Sequence, residues 1–286
     1  MVPTVPPHAR TPNIISNERH TMGRLDNKVA VVTGSSSGNG RAIAVALAAE
    51  GASVVCSDIQ RQAREGGYEQ DLSTATDDVI RANGGKAEYV EANAGDYAAV
   101  ENLVATAVGA FGRLDVMVNN AGIFTGLHTI IDETEDEYDR TMAINCKSVW
   151  LGSKFAIKQM LAQEPVDGSR GRVINIASIG GLVGLAAEPA YCAAKGAVVN
   201  LTRQLAVDFA PERINVNAIC PGFLSTAMVR PFLEDPELRE VLHSKSPWPE
   251  LGTAEDVAKA AVFLGSNDAR WATGTLLTID GGYTAP

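Results

Sequence analysis

Short β-branched runs alternate with alanine-rich stretches of helical period along most of this chain. Residues 28–33, 53–57, 87–90, 114–118, 172–177, 214–219 and 275–279 are brief apolar runs, the pattern of strands buried on both faces. Helical stretches fall between them, at 41–50, 72–82, 97–111, 133–161, 190–206 and 253–264. Strands alternating with helices predict an α/β protein with a doubly wound, Rossmann-type parallel sheet of about seven strands. Helices should cover both faces of that sheet, in a single domain spanning 23–286. Residues 1–22 break the pattern. They are proline-rich and aperiodic, and are expected to form a disordered N-terminal extension. Prolines also interrupt 221–250, which is expected to form a short mobile helix pair over the sheet's carboxyl edge, a substrate lid.

Chemistry-bearing residues gather at the carboxyl ends of the predicted strands. The first strand runs into a glycine-rich turn, Gly34, Gly38 and Gly40, and then a helix. Such a turn lets backbone amides approach a pyrophosphate at the positive end of the helix. The second strand ends at Asp58, twenty residues beyond Gly38, where a dinucleotide-binding unit holds the adenosine ribose hydroxyls. The fourth ends in Asn119-Asn120-Ala121-Gly122, and the fifth delivers Ser178 at its tip. Thirteen residues later come Tyr191 and Lys195, one turn apart on one face of a helix. A phenol beside a cation is an arrangement for moving a proton to or from an alcohol or ketone. Asn145 is a polar residue in an otherwise apolar helical segment.

Together these motifs resemble the short-chain dehydrogenase/reductase superfamily, in its short single-domain branch, from about Gly23 to the C-terminus. The resemblance implies NAD(P)-dependent interconversion of a secondary alcohol and a ketone. It makes Tyr191 the general acid/base and Lys195 the residue that binds nicotinamide ribose and lowers the Tyr191 pKa. Ser178 would hold the substrate oxygen and Asn145 a water of the proton relay. Cofactor contacts would come from Gly34, Ser36, Ser37, Gly38, Asn39 and Gly40 in the turn, and from Asp58, Asn93 and Ala94. Asn120, Ala121, Gly122, Tyr191, Lys195, Pro221, Gly222, Leu224 and Thr226 complete that set. Three features depart from the family pattern: Asn39 replaces an aliphatic residue, Asn93-Ala94 replaces Asp-Val, and the chain is enlarged around 65–71.

Asp58 stands where a 2′-phosphate would have to sit, so the expected cofactor is NAD, with NADP less favoured. Arg61 is the one nearby cation that the sequence suggests. For the substrate, Ser178 and Tyr191 mark the reacting carbon, and Phe223, Met228, Phe232 and Trp248 are candidate pocket walls. Glu188 has two readings, a surface carboxylate or a group facing the pocket, with the surface preferred. An inward Glu188 would favour polyols, sugars or cyclic diols; otherwise an apolar cyclic ketone fits. Alternatives are a 3-oxoacyl-thioester reductase and a non-catalytic dinucleotide-binding sensor or scaffold.

Composition narrows the field. The 286 residues carry a net charge of −10, from 24 basic and 34 acidic side chains, which disfavours nucleic-acid binding. No run is apolar and long enough to suggest a membrane span. Four scattered cysteines without a CxxC, and few histidines, point to core thiols in the cytoplasm and to no metal site. The long helices 133–161 and 189–210 are expected to pair between subunits in a homotetramer.

Overall fold

The computed structural model describes residues 23–69, 71–230, 234–236, 240 and 245–285. Seven parallel strands form one sheet in the order β3-β2-β1-β4-β5-β6-β7. They are β1 (Val29–Thr33), β2 (Ser53–Asp58), β3 (Lys86–Glu91), β4 (Val116–Asn119), β5 (Gly171–Ile176), β6 (Ile214–Pro221) and β7 (Leu276–Ile279). β1, β4 and β5 are buried along their whole length, which is why their sequences are continuously apolar rather than alternating.

Helices cover both faces. On one, α1 (Gly38–Ala49) packs through Ile43 and Leu47 beside α7 (Ala254–Gly265), whose Val257 and Ala261 share that core. On the other, α3 (Tyr97–Phe111) and α5 (Ser148–Leu161) bury Leu103, Leu151, Phe155 and Met160 against β1, β4 and β5. Each such fully buried side chain contributes roughly 1.5–3 kcal/mol. Three further α-helices are α2 (Thr76–Ala82), α4 (Glu135–Met142) and α6 (Pro189–Phe209).

Two expected helices change on inspection. The stretch anticipated at 133–161 is helical from Glu135, but a π-helical turn, Ala143–Lys147, interrupts it between α4 and α5. Its wider hydrogen-bond spacing takes in one residue more than an α-helix would. The helix expected at 72–82 begins only at Thr76, because Asp71 caps the preceding turn: its carboxylate accepts from the Ser73 N–H (2.9 Å), the Ser73 hydroxyl (2.7 Å) and the Thr74 N–H (3.2 Å). The 1–22 extension, Phe232 and parts of the proposed lid lie outside the described residues.

Candidate active site

The sheet changes winding direction between β1 and β4, and a crevice opens at their carboxyl ends, where open α/β sheets bind ligands. A cavity of about 610 Å³ occupies it. Its floor is built by Thr33, whose hydroxyl oxygen accepts from the N–H groups of Asn120 (3.0 Å) and Ala121 (3.1 Å). The Asn120 side chain donates in return to the carbonyls of Thr33 (2.9 Å) and Gly34 (3.0 Å), locking the glycine turn to the end of β4. Gly40 has to be glycine, since a Cβ there would lie 2.0 Å from the Gly34 carbonyl oxygen. Gly34 (φ 64°) and Gly38 (φ 54°) occupy left-handed backbone that side chains resist.

At the far side of the turn, Asp58 is held by two backbone donors, Ser36 N–H (3.1 Å) and Ile59 N–H (2.8 Å), and faces the cavity. Arg61, the cation expected nearby, is committed elsewhere: it pairs with the buried Asp77 (2.7 Å) and with Asp78 (2.8 Å). Arg64, which the sequence did not single out, lines the same cavity as Asp58. The enlarged segment packs onto the glycine turn. Arg41 of α1 donates to the carbonyls of Asp71 and Thr74, both at 2.7 Å, and the Glu69 carboxylate accepts the Gly38 N–H. Next to it, the Tyr68 ring lies 5.0 Å from the Arg230 guanidinium.

Ser178, Tyr191 and Lys195 line the cavity together. The Ser178 oxygen accepts from Gly180 N–H (3.1 Å), which leaves its proton for the Tyr191 oxygen. Lys195, on the next turn of α6, is buried, donates to the Ile176 carbonyl (2.9 Å), and sits 5.7 Å from the Tyr191 ring centre. Gly181 permits this packing, because a Cβ there would meet the Lys195 carbonyl oxygen at 2.6 Å. The electrostatics differ from the implied depression of the phenol. Burial pushes Tyr191 up to about 12, with Glu188 adding to the rise and the Ser178 hydrogen bond opposing it. Burial also lowers the Lys195 ammonium to about 8.

Asn145 is fully buried on the π turn and lies outside the cavity lining. Its Oδ1 accepts from Ile123 N–H (2.8 Å) and its Nδ2 donates to the Ile123 carbonyl (2.9 Å). Those two bonds fix the chain leaving Gly122. Beneath it runs a buried polar network that the sequence reading missed. Asn119 Nδ2 donates to Ser153 (3.1 Å) and Asn175 (2.8 Å), and Asn175 donates to Thr202 (2.9 Å) of α6. It ties β4, β5, α5 and α6 into one support.

Most expected cofactor residues line the cavity: Gly34, Ser37, Gly38, Asn39, Asp58, Asn93, Ala94, Asn120, Ala121, Gly122, Pro221, Gly222, Leu224 and Thr226. Ser36 and Gly40 lie behind the turn, outside the lining. Of the expected pocket walls, Phe223 and Met228 face the cavity and Trp248 does not. Trp248 is 65% exposed, with its backbone N–H bonded to the Gly281 carbonyl (3.0 Å), so it belongs to the surface near the C-terminus.

Glu188 reverses the preferred reading. It is buried and lines the cavity, and burial alone raises its carboxyl to about 7. A group pushed up in the folded state stabilises the fold only where it stays protonated, and that stability is lost as pH rises from its unfolded value toward about 7. Glu188→Gln should therefore raise Tm at pH 8 clearly more than at pH 5. Equal shifts at both pH values would show that the carboxylate is not paying for its burial.

The lining suits a dinucleotide. Asn39 Oδ1 is buried in the turn without a partner, and a Cβ at Gly38 would meet nothing nearer than Thr226, at 4.0 Å. A parallel sheet that reverses beside a glycine turn, with serine, tyrosine and lysine converging there, defines a dinucleotide-dependent oxidoreductase. A family model described as enoyl-(acyl carrier protein) reductase matches residues 34–284. The chain is 38% identical to a 2-(R)-hydroxypropyl-CoM dehydrogenase of Xanthobacter autotrophicus, covering 91% of this chain and 99% of that one. It is 36% identical to a cyclopentanol dehydrogenase of Comamonas, covering 92% and 100%. Among solved structures, a putative 2-deoxy-D-gluconate 3-dehydrogenase from Agrobacterium tumefaciens with bound NADP superposes with a TM-score of 0.79. Identity there is 34%, over 92% of this chain and 98% of that one. The chain belongs to the short-chain dehydrogenase/reductase superfamily, whose members bind a nicotinamide dinucleotide.

Proposed function

We propose that this protein is an NAD-dependent dehydrogenase that interconverts a small secondary alcohol and its ketone. The observation that carries this reading is the convergence of Ser178, Tyr191 and Lys195 on one wall of the cavity, opposite the glycine turn. A nicotinamide dinucleotide bound along that turn supplies the hydride acceptor or donor. The Tyr191 hydroxyl takes the proton from the alcohol oxygen, or returns it to the ketone oxygen. Ser178 holds the same oxygen by hydrogen bonding, and Lys195 holds the cofactor's ribose. Asn145 keeps the wall at Gly122 and Ile123 in place through its two bonds to Ile123. Relatives named for hydroxypropyl-CoM and cyclopentanol support a secondary alcohol as substrate.

The test is absorbance of the reduced nicotinamide with a panel of secondary alcohols and each cofactor. Absence of turnover with every alcohol would leave a dinucleotide-binding sensor or scaffold. The preference for NAD rests on Asp58, whose carboxylate is oriented by two N–H donors toward the place of the adenosine ribose. Arg64 in the same wall is the group that would receive a 2′-phosphate. Wild-type kcat/KM should favour NAD, and Asp58→Ser should erode or reverse that ratio. An equal or better kcat/KM with NADP in the unmodified protein would remove Asp58 from the ribose site.

The unpaired cysteines fit a cytoplasmic location. A homotetramer is supported by the apolar strip of Met142, Cys146, Trp150 and Leu201 along α4, α5 and α6, where Trp150 is 45% exposed.

A further inference from the structure

Glu188 is a buried carboxylate that the chain goes out of its way to place. The residue before it, Ala187, lies in left-handed backbone (φ 60°), a conformation that a residue with a side chain resists. Its carbonyl accepts the His128 N–H (2.9 Å), which holds the bend. The bend turns Glu188 inward at the start of α6, where it is only 9% exposed and lines the cavity. Glu188 is the N-cap residue of α6, and its side chain makes no cap hydrogen bond there. Its carboxylate has no hydrogen-bond partner among the described residues. Its oxygens are not sealed from solvent and open to the cavity, where a donor can reach them.

This N-cap residue stands three residues before Tyr191, and the charge of Glu188 lies close enough to oppose ionisation of the Tyr191 phenol. A substrate oxygen held by Tyr191 and Ser178 brings the adjoining carbon's substituent next to Glu188. We infer that Glu188 is a specificity-determining residue that accepts a hydrogen bond from a second hydroxyl on the carbon beside the reacting one. The preferred substrate class is then the vicinal diol and its α-hydroxyketone product, a refinement that rests on the secondary-alcohol reading above. A neutral donor fits better than an ammonium group. Lys195 already places a cation in this wall, and Arg140 lines the same cavity. Phe124 and Leu185, which lie beside Tyr191, and Met228 are apolar members of the same cavity and favour a compact carbon skeleton over a sugar.

The experiment pairs each diol with the alcohol lacking its second hydroxyl: 2,3-butanediol with 2-butanol, and 1,2-cyclopentanediol with cyclopentanol. Formation of reduced nicotinamide is followed for wild type, Glu188→Gln and Glu188→Leu. In wild type, kcat/KM should favour the diol by about tenfold to a hundredfold, the worth of one hydrogen bond to a charged group. Glu188→Leu should bring that ratio to about one, whatever happens to absolute rates, and Glu188→Gln should leave an intermediate ratio because its amide oxygen still accepts. Dinucleotide binding followed by fluorescence shows that each variant is folded. A ratio near one in wild type overturns the inference, as does a ratio indifferent to Glu188→Leu. A preference for 3-amino-2-butanol over the diol overturns it in favour of a cationic substrate. Turnover of the simple alcohols without diol preference sinks this inference alone, whereas no turnover of any alcohol sinks the dehydrogenase reading as well.

Discussion

Tyr191→Phe should lower turnover by at least about a thousandfold while leaving dinucleotide affinity nearly unchanged. Only the hydroxyl is lost, and the ring continues to pack edge-on against Phe124, with centroids 6.1 Å apart. The phenol holds its proton tightly, since burial pushes it up to about 12. At neutral pH Tyr191 is therefore poised to donate, the state that ketone reduction needs. Alcohol oxidation needs the phenolate, so its rate should climb as pH rises, whereas reduction should not gain from alkali. Steady-state rates in both directions, with a binding titration of the variant, check this. Near-normal turnover in Tyr191→Phe would remove it from the chemistry.

Lys195→Met should combine a loss of at least about a hundredfold in turnover with a Tm no lower than wild type. The ammonium is buried, and its fall from 10.5 to about 8 means that the fold disfavours its charge. That shift corresponds to roughly 3 kcal/mol of destabilisation at neutral pH. Losing the hydrogen bond to the Ile176 carbonyl costs about 1 kcal/mol in the other direction. A lysine lowered by burial penalises the fold below its folded value, and the penalty fades as pH rises from about 8 toward 10.5. The stability advantage of the methionine variant should shrink over the same range. Dinucleotide affinity should fall too, because the ribose loses its donor. A variant with full activity, or with a Tm many degrees lower, would contradict the placement of this charge.

Much of the fold was legible because it rests on strands buried on both faces, whose apolar runs cannot be solvated helices or loops. All seven appear, their ends moved by at most a residue or two. Backbone-mediated features were harder to see. Glu188 reads as an ordinary acidic helix start until the left-handed Ala187 turns it inward. Arg61 was the cation that the sequence suggested near Asp58, but a buried Asp77 on α2 claims it, and Arg64 lines the cavity instead. Trp248 was a candidate pocket wall because the segment carrying it was expected over the cleft, but its neighbours are Gly281 and the C-terminal turn. Asn119 was expected to border the crevice with Asn120, and strand alternation instead turns it down into Asn175 and Ser153. Its partners lie 34 and 56 residues away in sequence, a separation that local pattern cannot reveal.

The π turn at Ala143–Lys147 has a consequence for anyone who would shorten or idealise this chain. It carries one residue more than a regular helix needs, so removing one there would let α4 and α5 fuse into an uninterrupted rod. Each residue advances a helix by about 100°, and the deletion would turn one half by that angle against the other. If α5 kept Leu151 and Phe155 in the core, the whole of α4 would swing round, and the turn that holds Asn145 against Ile123 would be lost. If α4 held its place, the core contacts of α5 would rotate toward solvent. The smoother helix and the working cleft are alternative registers of the same segment, and the surplus residue is what selects the second.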